Sequence, residues 1–163
     1  MSHLIATFFY VGHLRPAPGT WGSLAALPVA LLLMVWGGPV LLVVATLAVC
    51  VIGYWATAVE TRGKADHDPS EIVIDEVAGQ WIALWPLAIG AANAGAAYTA
   101  LWPGWVVAFA LFRLFDVTKW GPVGWADRKP GPLGVMLDDV IAGIFAAIGV
   151  VVFAGVYHGI IMR

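Results

Sequence analysis

Three stretches of this sequence, Leu24 to Val59, Val77 to Phe112 and Val140 to Met162, contain no Asp, Glu, Lys or Arg. They are 36, 36 and 23 residues long. A helix crosses the hydrocarbon core of a bilayer with about 20 apolar residues, so charge-free runs of this length mark a membrane protein. With 61% hydrophobic and 11% charged residues in 163, the chain departs from soluble domains, which are about 25% charged. The last stretch is long enough for one span. Each 36-residue stretch is too long for one straight crossing and tight for two.

Breakers divide the longer stretches: Gly37-Gly38-Pro39 cuts the first, and the run from Asn93 through Gly95 to Pro103-Gly104 cuts the second. The pattern predicts an all-α polytopic membrane bundle, a single domain over residues 1–163, made of two helical hairpins and a final helix. Leu24 to Trp36 is only about 20 Å long at 1.5 Å per residue, so that arm is expected to tilt or re-enter, giving four to five membrane-embedded helices. The N-terminus, with no Lys or Arg before its first apolar run, is expected to be retained rather than cleaved.

This topology gathers the polar segments around Gly12 to Ser23, Glu60 to Glu76 and Arg113 to Asp139 on one face. Seven of the eight Lys and Arg residues fall there and only Arg163 on the other, so the positive-inside rule makes that face cytoplasmic. A net charge of -2 gives no basic field for nucleic acid. The single cysteine, Cys50, excludes an internal disulfide framework.

Two acidic clusters stand at the mouths of apolar segments. In the first, Pro69 marks a helix start with Asp68 as a possible N-cap, which would set Glu71 and Asp75 one turn apart, beside Glu76. Such carboxylates repel unless a cation lies between them. The plainer alternative is that Glu71 serves the helix dipole while Asp75 and Glu76 are solvated or paired with Arg. The second cluster, Asp138-Asp139, repeats the arrangement: Asp75 to Gly79 and Asp139 to Gly143 share a four-residue spacing. A glycine one turn below each carboxylate lets two helices approach closely. Four oxygen-bearing side chains brought together suit a hard cation such as Mg²⁺.

Between the clusters, Arg113, Asp116 and Lys119 recur every three residues. They form either a weak intrahelical ion ladder or a phosphate clamp in which Asp116 orients the cations or binds metal. Near the N-terminus, Gly19 and Gly22 permit a tight turn, and Thr20 and Ser23 bring hydroxyls to a helix start, loosely resembling a phosphate cradle. Ser23 as a simple N-cap is the more economical reading. His67 is a proton donor or a solvated loop residue, the latter favoured. Cysteine phosphatase chemistry is disfavoured because Cys50 lies in an apolar helix and residue 56 is Ala rather than Arg. No Walker loop and no zinc-binding Cys/His spacing is present. Metal-assisted phosphoryl hydrolysis remains.

Three blocks together, Pro18-Gly19-Thr20-Trp21-Gly22-Ser23, the run Asp68 to Gly79, and Phe112 to Asp116 with Asp127-Arg128 and Gly134 to Val140, resemble the phosphatidylglycerophosphatase A family. The resemblance extends from about residue 10 to residue 150. It implies a bacterial inner-membrane enzyme that uses Mg²⁺ to remove the terminal phosphate of phosphatidylglycerophosphate, yielding phosphatidylglycerol. It further implies Asp75, Glu76, Asp138 and Asp139 as the metal-binding and water-activating set, with Glu71 and Asp116 close by. Arg113, Lys119 and Arg128 are the implied phosphate ligands, with Thr20, Gly22 and Ser23 as further substrate contacts. The main rival is a cation- or proton-coupled transporter, which would be expected to place its carboxylates near the membrane midplane rather than at helix mouths.

Overall fold

The computed structural model describes residues 1–64, 69–157 and 159, and the expectations attached to Asp66, His67, Asp68 and Arg163 lie outside the described residues. Among the described residues every regular element is helical: α1 (Ser2–Ala6), a 3-10 turn (Val11–His13), α2 (Pro18–Glu60), α3 (Ile74–Ala94), a second 3-10 turn (Tyr98–Leu101), α4 (Trp102–Thr118), α5 (Pro122–Asp127) and α6 (Pro132–Val156).

The backbone of α2 breaks at Gly37 (φ -145°, ψ 15°) and Gly38 (φ 65°, ψ -160°), the second in the left-handed half of φ space that only glycine occupies freely. Both arms pack against α3. Trp81 Nε1 donates to Ala26 O at 2.9 Å from the first arm, and Trp85 Nε1 donates to Thr46 Oγ1 at 3.2 Å on the second. At the other end, Gly22 abuts Val73 and Gly53 abuts Ile74. In a straight helix, residues 22 and 53 would stand about 46 Å apart, so the chain must turn back at the glycine pair. The expected first hairpin is therefore present. Its first arm starts at Pro18, not Leu24, which adds about 9 Å and removes the reason to expect a short re-entrant segment.

The second break falls where the sequence placed it. Gly95 closes α3 in the αL conformation (φ 62°, ψ 24°), and Pro103 sits in the first turn of α4, where its missing N–H has no cost. Among the described residues three segments are long and apolar enough to cross a membrane: Pro18–Glu60, Tyr98–Thr118 and Pro132–Val156. Their outward faces carry large apolar side chains, among them Leu32, Val44, Leu47, Val106, Ile148 and Val151. By contrast, α3 is enclosed by α2, α4 and α6, and Val77 to Leu84 are all buried.

The close approach of α3 and α6 depends on two glycines. A Cβ at Gly79 would lie 2.5 Å from Asp139 O, and one at Gly143 would lie 2.4 Å from Gly79 O. The shared spacing in the sequence thus marks the point where the two helices touch. The N-terminal segment closes over the same end of the bundle. Ser2 Oγ donates to Glu60 Oε1 at 2.6 Å, His3 Nδ1 lies 3.2 Å from Glu60 Oε2, and Val73 N donates to Ala6 O at 2.9 Å.

Candidate active site

The touching of α3 and α6 brings their acidic mouths together. Helix α3 begins at Ile74, not near Pro69, so Asp75 and Glu76 occupy its first turn, where the helix dipole favours negative charge. Glu71 lies in the preceding turn, in which Ile72 N donates to Pro69 O. The expected one-turn pairing of Glu71 with Asp75 therefore does not form. On α6, Asp138 and Asp139 sit in the second turn and are almost wholly buried, at 4% and 2% exposure.

Oxygens of Asp75, Glu76 and Asp139 lie within 4.8 Å of one another, and so do oxygens of Asp116, Asp138 and Asp139. Asp139 belongs to both groups. Glu71 belongs to neither. The buried Glu76 Oε2, Asp138 Oδ1 and Asp139 Oδ1 receive no hydrogen bond among the described residues. Buried anionic oxygens without donors are costly.

Lys119 ties the second group together. It ends α4 in the αL conformation (φ 49°, ψ 39°), which turns its side chain back over the mouth of α6. Its Nζ donates to Asp138 Oδ2 and, at 3.1 Å, to Asp116 Oδ1, and it stands 3.4 Å from Asp127 Oδ1. Short helix α5 supplies Asp127 for this contact. Burial alone would lower the Lys119 pKa, but the charges of Asp139, Asp138 and Asp116 outweigh it and hold the ammonium above its ordinary value. Arg113, one turn before Asp116 on α4, donates through Nη1 to Asp116 Oδ2.

These groups line a cleft of about 270 Å³ whose wall includes Pro18, Gly19, Ser70, Asp75, Glu76, Arg113, Asp116, Lys119, Asp138 and Asp139. A Cβ at Gly19 would lie 2.1 Å from Glu76 Oε1 and 3.1 Å from Arg113 Nη1, so a side chain at residue 19 would displace the Glu76 carboxylate from its present position. Of the proposed N-terminal contacts, none of Thr20, Gly22 and Ser23 lines the cleft. Ser23 is not an N-cap: helix α2 begins five residues earlier, and the buried hydroxyl donates to Gly19 O at 2.8 Å. Gly22 instead accommodates Val73. Arg128 is exposed and also stands outside the cleft. Sequence reasoning gave Gly19 only a turn-forming role, and its direct neighbour Pro18, a helix-start residue, was the local signal for where α2 begins.

A family model for phosphatidylglycerophosphatase A matches residues 4–154. The chain is 38% identical over 154 residues to phosphatidylglycerophosphatase A of Haemophilus influenzae, covering 93% of this chain and 86% of that protein. It is 36% identical over 155 residues to phosphatidylglycerophosphatase A of Escherichia coli, covering 94% and 83%. A Bacteroides thetaiotaomicron relative, 37% identical over 155 residues and covering 89% and 88%, carries a provisional name as a phosphatidylinositol-3-phosphatase. No solved structure gives a significant match.

Proposed function

This chain belongs to the phosphatidylglycerophosphatase A family, and we propose that it hydrolyses the terminal phosphomonoester of phosphatidylglycerophosphate with Mg²⁺ as cofactor. The observation that carries the reading is the buried pair of carboxylate groups joined at Asp139 beside two cations, Arg113 and Lys119. Membership favours this over a transporter, as does the clustering of carboxylates at helix mouths.

The donor set fits a hard divalent cation: all ligands are carboxylate oxygens, and Glu76 and Asp139 each retain a buried oxygen without a donor. Asp75, Glu76 and Asp139 would hold the ion, which when bound supplies electrophilic polarisation of the phosphoryl oxygens. Arg113 and Lys119 offset the charge that develops on the phosphoryl group, and Asp116 aims both of them by bonding each. A carboxylate of the acidic centre accepts the proton of the attacking water, and the same proton is returned to the lipid glycerol oxygen as the P–O bond breaks. Ile72 and Val117 supply apolar parts of the cleft wall.

For topology, the reading is five crossings: two arms of α2, then α3, the segment Tyr98–Thr118, and α6. Supporting it are the break in α2 and the grouping of Pro18, Asp75, Asp116 and Asp138 around one cleft. The excess of Lys and Arg around that cleft favours the cytoplasmic face of a bacterial inner membrane. Labelling of single cysteines at Ala97 and at Trp125 from the two sides of sealed vesicles tests this, with opposite accessibility expected.

The activity is tested by phosphate release from phosphatidylglycerophosphate in detergent, with Mg²⁺ or with a chelator. Mg²⁺-dependent release by the wild type is expected. No release by folded protein across several divalent metals would overturn the reading.

A further inference from the structure

The substrate of the proposed reaction carries two phosphates of different kind: a terminal monoester, which is cleaved, and an internal diester, which joins the headgroup to the acylated glycerol. Arg113 and Lys119 lie in the depth of the cleft, and both are already engaged by carboxylates. A further cation reaches its rim. Arg15, in the loop between the first 3-10 turn and α2, donates from Nη1 to Ser70 Oγ at 3.1 Å, and Ser70 lines the cleft. Two residues on, Ala17 continues the wall towards Gly19.

The surroundings of Arg15 differ from those of the inner cations. No carboxylate among the described residues pairs with it. Its neighbour Leu14 is 48% exposed and Trp21, on the first turn of α2, is 41% exposed. An aromatic ring and an apolar side chain open to the surroundings at a helix start suit the level of lipid headgroups. In a bound lipid the diester is the phosphate nearer the acyl chains, so it lies closer to that level than the monoester does.

We propose that Arg15, positioned by Ser70, is a specificity-determining residue that binds the internal phosphodiester while the monoester occupies the carboxylate-lined depth. This rests on the phosphatase reading above. A guanidinium presents five N–H donors in a plane and Ser70 engages one nitrogen, which leaves donors for the two free oxygens of a diester. Because the contact forms on binding and does not change as the distant P–O bond breaks, it contributes to KM and not to kcat.

The test is inhibition of phosphatidylglycerophosphate hydrolysis by two probes: phosphatidylglycerol, which has only the diester, and inorganic phosphate, which has none. Arg15→Gln is expected to raise KM and the Ki of phosphatidylglycerol by about tenfold each, the scale of one charge-assisted hydrogen bond. The Ki of inorganic phosphate and kcat should stay within about twofold, which also reports that the acidic centre is intact. Arg15→Lys should recover part of the loss, because it restores charge without the planar donors. Should Arg15→Gln not fold, Ser70→Ala removes only the brace and should shift the same two constants by about threefold. An unchanged Ki for phosphatidylglycerol, or equal rises for both probes, overturns the proposal. Failure of the wild type to release phosphate from phosphatidylglycerophosphate overturns the phosphatase reading instead.

Discussion

The two carboxylate groups that share Asp139 differ in how their charge is met. On the α4 side, Asp116 and Asp138 are bridged by Lys119, and Arg113 completes Asp116. On the α3 side, no ion pair reaches Glu76 among the described residues, and its Oε2 is buried without a donor. The first group has two cations bonded into it, although Asp138 Oδ1 and Asp139 Oδ1 remain without a donor among the described residues. Glu76 has no bonded cation of this kind, which is the physical reason for proposing metal at Asp75, Glu76 and Asp139 and positioning roles for Asp116 and Asp138.

Substitutions that preserve shape while deleting charge separate the two sides. Asp139→Asn touches both groups and should lower kcat by about a thousandfold or more in the phosphate-release assay, with helicity by circular dichroism unchanged. Glu76→Gln touches only the α3 side, where no ion pair is bonded to Glu76 among the described residues. It should cost about a hundredfold in activity and raise the Mg²⁺ concentration needed for half-maximal rate, whereas a purely electrostatic helix-dipole role would leave that concentration alone. Lys119→Met acts on the other side and should show first in stability. It strands Asp138 in a buried site and leaves Asp116 with Arg113 alone, and because Lys119 is one-third exposed the expected cost is about 1–3 kcal/mol, read as a lower melting temperature in detergent. A Lys119→Met protein as stable as the wild type would break the comparison. Glu71→Gln should change activity by less than about threefold, since Glu71 belongs to neither carboxylate group.

Much of this arrangement was legible in the sequence because membranes penalise charge so heavily. Eighteen charged residues can be placed by where they are absent, and the glycine pairs and prolines that interrupt apolar runs mark the turns. The repeated Asp–Gly spacing likewise announced a helix contact, since only small residues allow one so close. Less legible was anything decided across the bundle. The pairing of Lys119 with Asp138 spans nineteen residues and requires the αL turn at Lys119, for which a lysine gives no local signal. Thr20 and Ser23 read as hydroxyls beside a helix start, Ser23 most economically as its N-cap, because the first apolar run begins at Leu24. The helix in fact begins at Pro18, which carries Ser23 past the first turn and presents Gly19 to the carboxylates. Glu71 was misplaced for a similar reason: Pro69 looked like a helix start, yet the chain makes a separate turn before Ile74.

The crossing at Gly79 and Gly143 also sets an angular tolerance. Successive residues on a helix are offset by about 100°, so turning either helix by one position would drive a neighbouring side chain, Gln80 or Ala142, into a gap that admits none. The two helices therefore cannot slip past one another like smooth rods. They act as meshed gears with a single permitted phase, and Asp75 and Asp139, each one turn from a tooth gap, keep their bearing towards each other while lipids jostle the outer faces of the bundle.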